Sequence, residues 1–253
     1  MASSTTKLPI VTTDPKLLED QARRSMGNKP FGYIYGGAGQ MSSVDANRLA
    51  FDQWRIIPLV LKPSSPRDLC VRLFGSTYVD SLLLMAPVGV QGTFHTSGEK
   101  GLSAACPELG IPYCLSKAAT SSIEDVEAAC GSHPRWYQLY WPKDDDITVS
   151  LVRRAKATGY RVLIVTLNTV TVAWRPQDLD IANLSFLEGV GNAAGFSDLI
   201  FRSKFADENN GDTSGGDPLD ASHYWISEVF SGHHHSWDDL ALLRISIGTA
   251  RLC

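Results

Sequence analysis

The chain of 253 residues has no stretch approaching the about 18 consecutive apolar residues that a membrane-crossing helix needs. Its first residues, MASSTTKLPIVTTDPK, lack the basic, then apolar, then small-residue order of a secretory leader. Positive charge is not in excess, with 23 Lys and Arg against 27 Asp and Glu. The net charge of −4 and the absence of a dense basic run argue against a nucleic-acid partner. Cys70, Cys106, Cys114, Cys130 and Cys253 are odd in number, and no CxxC or Cys/His ligand spacing joins them. Reduced thiols and a cytoplasmic location are the expectation. No glycine-rich GxGxxG turn follows a strand, and no P-loop occurs, which excludes the usual nicotinamide and nucleotide-phosphate motifs. What remains is 43% hydrophobic and 20% charged residues, enough apolar material for a sizeable core.

The first fifty residues read helical. Asp14 and Pro15 start a helix with Leu17, Leu18, Ala22 and Met26 as its stripe. A tight aromatic and glycine segment, Phe31 to Gly39, precedes a further helix from Ser43 to Trp54. Four apolar strands are then expected, at Leu82–Ala86, Tyr113–Leu115, Trp136–Tyr140 and Val162–Leu167. Helices are expected between them at Gly98–Leu109, from Ser121 to about Ala129, and at Asp145–Thr158. Strand, helix, strand at this spacing implies βαβ units and a parallel sheet, in an open sheet or a half-barrel alike. From 176 to 236 the rhythm is lost, and a long, lid-like loop region with one short helix at Tyr224–Phe230 is expected. Trp237–Leu243 begins another helix, and Ile245 to Cys253 offers no convincing strand. The expected division is an N-terminal helical segment over 1–78 and a partial barrel over 79–253.

In parallel α/β proteins, residues that end strands at their carboxyl edge form the site. This selects Ala86, Pro87 and Val88 after the first strand, Ser116 after the second, Gln138 and Tyr140 on the third, and Thr166 and Asn168 on the fourth. Each alone is as compatible with an ordinary turn or satisfied core polar group. Together they stand out, because polar groups ending buried strands need partners. Arg175 has two readings, a bidentate clamp on a carboxylate or a surface ion pair beside Trp174. His233, His234 and His235 are read as a solvated loop, since adjacent histidines do not all face one ion.

Linked motifs sharpen this reading: YIYGGAG, LMAPVG, HTSGE, LSKAATSSIEDV, RWYQLYWPKD, GYRVLIVTLNT, WRPQDL, FLEGVGNAAGFSD and SWDDLALLR. In this order and spacing, from about 14 to 244, the chain resembles the FMN-dependent 2-hydroxy-acid oxidase and dehydrogenase family, especially its lactate 2-monooxygenase-like branch. The resemblance implies a (β/α)8 barrel, here its first four β/α units after N-terminal helices, with FMN at the carboxyl face. It implies oxidation of a small, lactate-like 2-hydroxy acid and a homo-oligomer. Tyr33, Tyr140 and Arg175 correspond to substrate contacts. Ala86, Pro87, Val88, Ser116, Gln138 and Thr166 correspond to residues along the flavin ring.

Two departures accompany the resemblance. The family has an aspartate where this chain has Asn168, and a neutral amide does not stabilise an imidazolium as a carboxylate does. After LALLR the sequence turns to ISIGTARLC, where the family continues with the strands that carry its lysine, its histidine base and most of its phosphate ligands. Three readings follow: an FMN-dependent oxidoreductase severely impaired as this chain, a non-catalytic half-barrel that binds a partner, or a truncated reading of a complete oxidase gene.

Overall fold

The computed structural model describes residues 10–63, 65–74, 76–78, 83–208, 218–247 and 251–252. They fall into two compact units. One holds the chain up to Arg55 together with Ala173–Asn183; the other holds Ile56–Val172 and the chain from Leu184 onward.

The first unit contains α1 (Pro15–Ser25), α2 (Asn28–Tyr35) and α3 (Ser42–Asp52). As the sequence implies, Asp14 caps α1 by accepting the backbone N–H of Lys16 at 2.9 Å, with Pro15 in the first turn. The aromatic and glycine segment is largely helix: Phe31 and Tyr35 are one turn apart on α2 and stack with ring centres 5.3 Å apart. Helix spacing had been hidden there by the flanking glycines. α2 ends at Gly36, whose N–H donates to the Gly32 carbonyl, and a side chain there would meet that carbonyl at 2.6 Å.

The second unit opens with an antiparallel hairpin, β1 (Val71–Leu73) and β2 (Ser76–Tyr78), too short for its alternation to show in the sequence. Leu82, the expected start of the first barrel strand, lies outside the described residues. What is described of that strand is one parallel bridge, Met85 to Tyr113. There follow α4 (Gly98–Glu108), β3 (Tyr113–Ser116), α5 (Ile123–Cys130), β4 (Arg135–Tyr140), α6 (Asp145–Ala157) and β5 (Val162–Thr166), close to the expected elements. β3, β4 and β5 pair in parallel and in sequence order.

The region between 176 and 236 is more helical than the expected irregular loop with one short helix at Tyr224–Phe230; that helix is present as the end of a longer one. The region forms α7 (Pro176–Leu179), which belongs to the first unit, and in the second unit α8 (Ala193–Phe196), α9 (Leu199–Glu208) and α10 (Pro218–Val229). On α9 the apolar residues Leu199, Ile200, Phe201 and Phe205 follow no clean stripe, so periodicity did not reveal it. Gly211, Gly215 and Gly216 lie outside the described residues. α11 (Leu240–Ile247) is followed by β6 (Arg251–Leu252), which adds to the sheet beside β5 through Val162–Arg251 and Leu163–Leu252. The tail therefore does pair as a strand. A two-residue strand carries no sequence signal of its own.

Four β/α units result: the Met85 bridge with α4, β3 with α5, β4 with α6, and β5 with α11. This is an incomplete (β/α)8 barrel. Alternation separates the two faces of its sheet. Tyr113, Leu115, Tyr137, Leu139 and Leu163 pack outward against Ile123, Val126, Ile147, Leu151, Val152 and Leu243 of the helices. Cys114, Trp136 and Val162 face the other way, against Val71 and Leu73 of the hairpin, and Phe74 meets Trp136 edge-on at 5.3 Å. The hairpin thus covers the inner face near the strand starts.

Candidate active site

At the carboxyl ends of the strands, on that inner face, the register sets Ser116 beside Gln138, and Tyr140 beside Thr166. Three side chains from three strands join in a row. Gln138 Oε1 accepts from Ser116 Oγ at 3.0 Å and from the Lys117 backbone N–H at 3.2 Å, while its Nε2 donates to Thr166 Oγ1 at 2.8 Å. Ser116 Oγ in turn accepts from the Ala118 N–H at 3.1 Å. Alternating polar residues at strand ends were the signal for this row, and the structure brings all three together.

Tyr140 leans on Phe230 with ring centres 5.7 Å apart. Burial pushes its phenol above the ordinary value of 10.0, so it stays protonated and remains an O–H donor at neutral pH. Asn168 lies two residues beyond β5, is exposed, and makes no hydrogen bond to another described residue. Ala86 is exposed; Pro87 and Val88 are half-buried, and the Val88 carbonyl accepts from Gln91 Nε2 at 3.0 Å. Behind this turn Glu99 is fully buried. It accepts from the N–H groups of Gln91 and Thr120 at 3.0 and 2.8 Å and from the hydroxyls of Thr120 and Ser121 at 2.6 and 3.0 Å. That fixes the HTSGE motif as a loop clamp.

The remaining two candidates meet in the first unit, 142 residues apart in sequence. The Arg175 guanidinium donates to the Tyr33 carbonyl and sits 5.5 Å from the Tyr33 ring centre. Its Nε lies 2.6 Å from Asp178 Oδ2, so the ion pair of the two readings is present. The other carboxylate oxygen of Asp178 accepts from Asn183 Nδ2 at 2.9 Å.

Sequence reasoning missed three side chains of the second unit. Lys117 is buried, with Nζ 3.9 Å from the centre of the Trp225 ring and no hydrogen-bond partner. Desolvation drives its ammonium well below its ordinary value, against the opposing pull of Glu228. Asn192 is fully buried, and its Oδ1 is also without a partner. His235, read as part of a solvated loop, stacks flat on Trp141 at 3.9 Å, while His233 and His234 are exposed. Only the placement of α10 and the segment after it reveals these contacts. Among the described residues no group of three or more His, Cys, Asp or Glu is arranged to hold a metal ion, and no helix is long and apolar enough to cross a membrane.

A flavin ring presents alternating hydrogen-bond donors and acceptors along one edge, and the amide and two hydroxyls of Gln138, Ser116 and Thr166 match that pattern along one line of strand ends. The residues present fit the ring end of the group.

Comparison with known proteins agrees. The model of the FMN-dependent dehydrogenase family matches residues 22–249. An FMN-dependent alpha-hydroxy acid dehydrogenase of Penicillium citrinum is 46% identical over 94% of this chain and 58% of its own length. A second, of Schizosaccharomyces pombe, is 44% identical over 93% of this chain and 58% of its own. The chain thus spans less than two thirds of these relatives. Among solved structures, one of mandelate oxidase superposes with a TM-score of 0.70 at 26% identity, over 90% of this chain and 58% of the other. By the family match along most of its length and the identity to both fungal proteins, the chain belongs to the FMN-dependent dehydrogenase family.

Proposed function

We propose that the chain is the flavin-edge half of an FMN-dependent oxidoreductase acting on the CH–OH group of a small 2-hydroxy acid. The observation that carries this is the row of Ser116, Gln138 and Thr166, joined across three strand ends. When bound, FMN supplies the two-electron acceptor for the oxidation. Gln138 and Thr166 would hold its ring edge, with Ser116 beside them and the Ala86–Val88 backbone along the ring. Tyr140, kept protonated by burial, donates to the substrate hydroxyl oxygen. In the first unit, Tyr33 and Arg175 form the proposed contact for a substrate carboxylate, which would compete with Asp178 for the guanidinium. Likeness to the lactate 2-monooxygenase-like branch rests on Trp141, Trp174 and the long stretch after Pro176.

Asn168 stands where the family's carboxylate charges a histidine base, and the amide offers only a neutral hydrogen bond. The 253-residue chain by itself is therefore expected to turn over lactate or glycolate slowly or not at all. The deciding test is the visible spectrum and FMN stoichiometry of the purified chain after incubation with excess FMN. About one flavin per chain supports the reading, with Gln138→Leu weakening uptake at least tenfold. A folded chain that takes up no flavin overturns it.

A second reading, a non-catalytic half-barrel that holds a partner, is favoured by the exposed apolar run Ile56, Ile57, Leu59, Val60 and Leu61. A colourless but monodisperse complex in light scattering would select it. Transcript sequence beyond Arg244 that encodes the family's histidine and arginine cluster would instead make this chain a piece of a complete oxidase.

A further inference from the structure

The sheet of the second unit is open at both sides, and so is the layer of helices that covers it. The strands start at Met85, which bridges to Tyr113 on one side. They finish at β5, where among the described residues only Val162 and Leu163 find a further strand, the two-residue β6. The helices repeat this pattern: α4 packs on α5, and α11 packs on α6. Another flank of α4 is an apolar groove of about 530 Å³, walled by Met85, Val88, Gly98, Gly101, Leu102 and Ala105. The groove is deep because α4 presents small residues one turn apart there, at Gly98, Gly101 and Ala105. On α11, Leu243 is fully buried, whereas Ala241, Arg244 and Ile245 share an exposed face, with Ile245 81% exposed. A grooved helix and a helix with a protruding apolar side chain thus bound the same half-barrel. Four β/α units are half the number at which such a barrel closes, and closure is what removes the edges of a parallel sheet. One two-fold axis sets the last unit of one copy beside the first unit of another and repeats the contact across the ring. Each α11 then lies along the groove of the partner's α4.

We infer that the α4 groove is the docking surface for a second copy of this chain, with Ile245 on α11 of each copy seated in the groove of the other, so that two copies close one eight-unit barrel. The inference rests on the half-barrel fold and not on flavin binding. It gives the partner-holding reading a definite partner, at a surface separate from the Ile56–Leu61 run.

The test follows the mass of the flavin-free 253-residue chain by sedimentation velocity over a concentration series. It is repeated with Ile57→Lys, Leu59→Lys, which takes association through the other exposed run out of account. A discrete species of two chains is expected in both. Ala105→Glu in the groove and Ile245→Lys on α11 each put a charge into both seams and should weaken pairing by about tenfold or more. Circular dichroism checks that each variant is folded. Mixing these two variants is the sharper measurement. In a mixed pair one seam holds both new charges, of opposite sign, and the other holds neither, so the mixture should pair more tightly than either variant alone. The inference is overturned by a folded wild-type chain that stays monomeric or grows past two chains, by pairing that both variants leave intact, or by a mixture no tighter than its components. A monomeric chain that binds one to one the part of the Penicillium citrinum relative it does not span also overturns it, with the rest of a family barrel as the occupant. Flavin uptake is read separately from the visible spectrum, so failure here leaves the flavin reading standing.

Discussion

Individual side chains carry two sharp consequences. Lys117 places an amine among Trp225, Tyr140 and Phe230 without a hydrogen-bonding partner, and burial lowers its pKa. A lysine whose folded value lies below its unfolded value near 10.5 binds fewer protons in the native state across that interval. Stability therefore rises with pH through the window that ends near 10.5, and the cost of burial is greatest below it. Lys117→Met is expected to stabilise the chain by on the order of 1 kcal/mol at pH 7, with the gain shrinking as pH approaches 10. Urea unfolding of both proteins at pH 7 and 9.5 measures this, and an unchanging difference would remove lysine titration as the cause. Glu99 is the opposite case, a buried carboxylate with every partner in place. Glu99→Ala leaves the N–H groups of Gln91 and Thr120 without their acceptor and should cost about 3 kcal/mol, read from the urea midpoint. Neither role was legible in sequence. Lys117 stood only inside the motif LSKAATSSIEDV, and Glu99 only inside HTSGE. By contrast, Ser116, Gln138 and Thr166 were legible, because the period of two along short apolar strands places them on one face.

Helices and strands were legible in proportion to how strongly one face is buried. β5 is an apolar run and β4 a buried, aromatic-rich strand within a parallel sheet, and α6 presents Ile147, Leu151, Val152 and Ala155 as one stripe, so these elements stay visible in the sequence. α8, α9 and α10 are held by aromatic contacts among themselves: Phe201 meets Trp225 edge-on at 5.0 Å and Tyr224 at 5.4 Å. Such packing follows no single helical stripe, which is why α8, α9 and the first half of α10 read as irregular, while the helix expected at Tyr224–Phe230 falls on the second half of α10. The contact between α8 and α10 is also tight. A Cβ at Gly195 would come within 2.6 Å of the Trp225 ring. Gly195→Ala is expected to cost about 1–3 kcal/mol through overpacking. Because Trp225 carries Lys117 on its face, Trp fluorescence should shift along with the lowered melting temperature. A variant as stable as wild type would show that α10 yields freely, and that its position over Lys117 is soft.

For the whole molecule, the informative feature is how much apolar surface the chain leaves in water. Ile56 and Ile57 are 95% and 86% exposed, and Leu59 follows at 81%. Contiguous apolar surface of this kind drives association. The chain is expected to self-associate with rising concentration, and the double variant Ile57→Lys, Leu59→Lys to remain disperse over a several-fold wider range, both followed by light scattering. Unchanged association in that variant would move the sticky surface elsewhere. Four of the five cysteines are described, and none of these four is in a disulfide. Burial pushes Cys114 up to about 12 and Cys106 up to about 11, so thiol reagents at pH 8 should label the exposed Cys70 far faster than either.

Gln138 engages both ends of its amide before any ligand arrives, and so ties three strand ends into one fixed line. A ring edge that docks there exchanges hydrogen bonds with the row instead of adding to them, and it finds donors and acceptors already in position. Recognition at such a row is preorganised: little side-chain freedom is left to lose, and little net hydrogen-bond enthalpy is left to gain. Affinity then has to come mainly from the apolar faces that close on the ring, so heat-capacity change should report binding at this edge more clearly than enthalpy does.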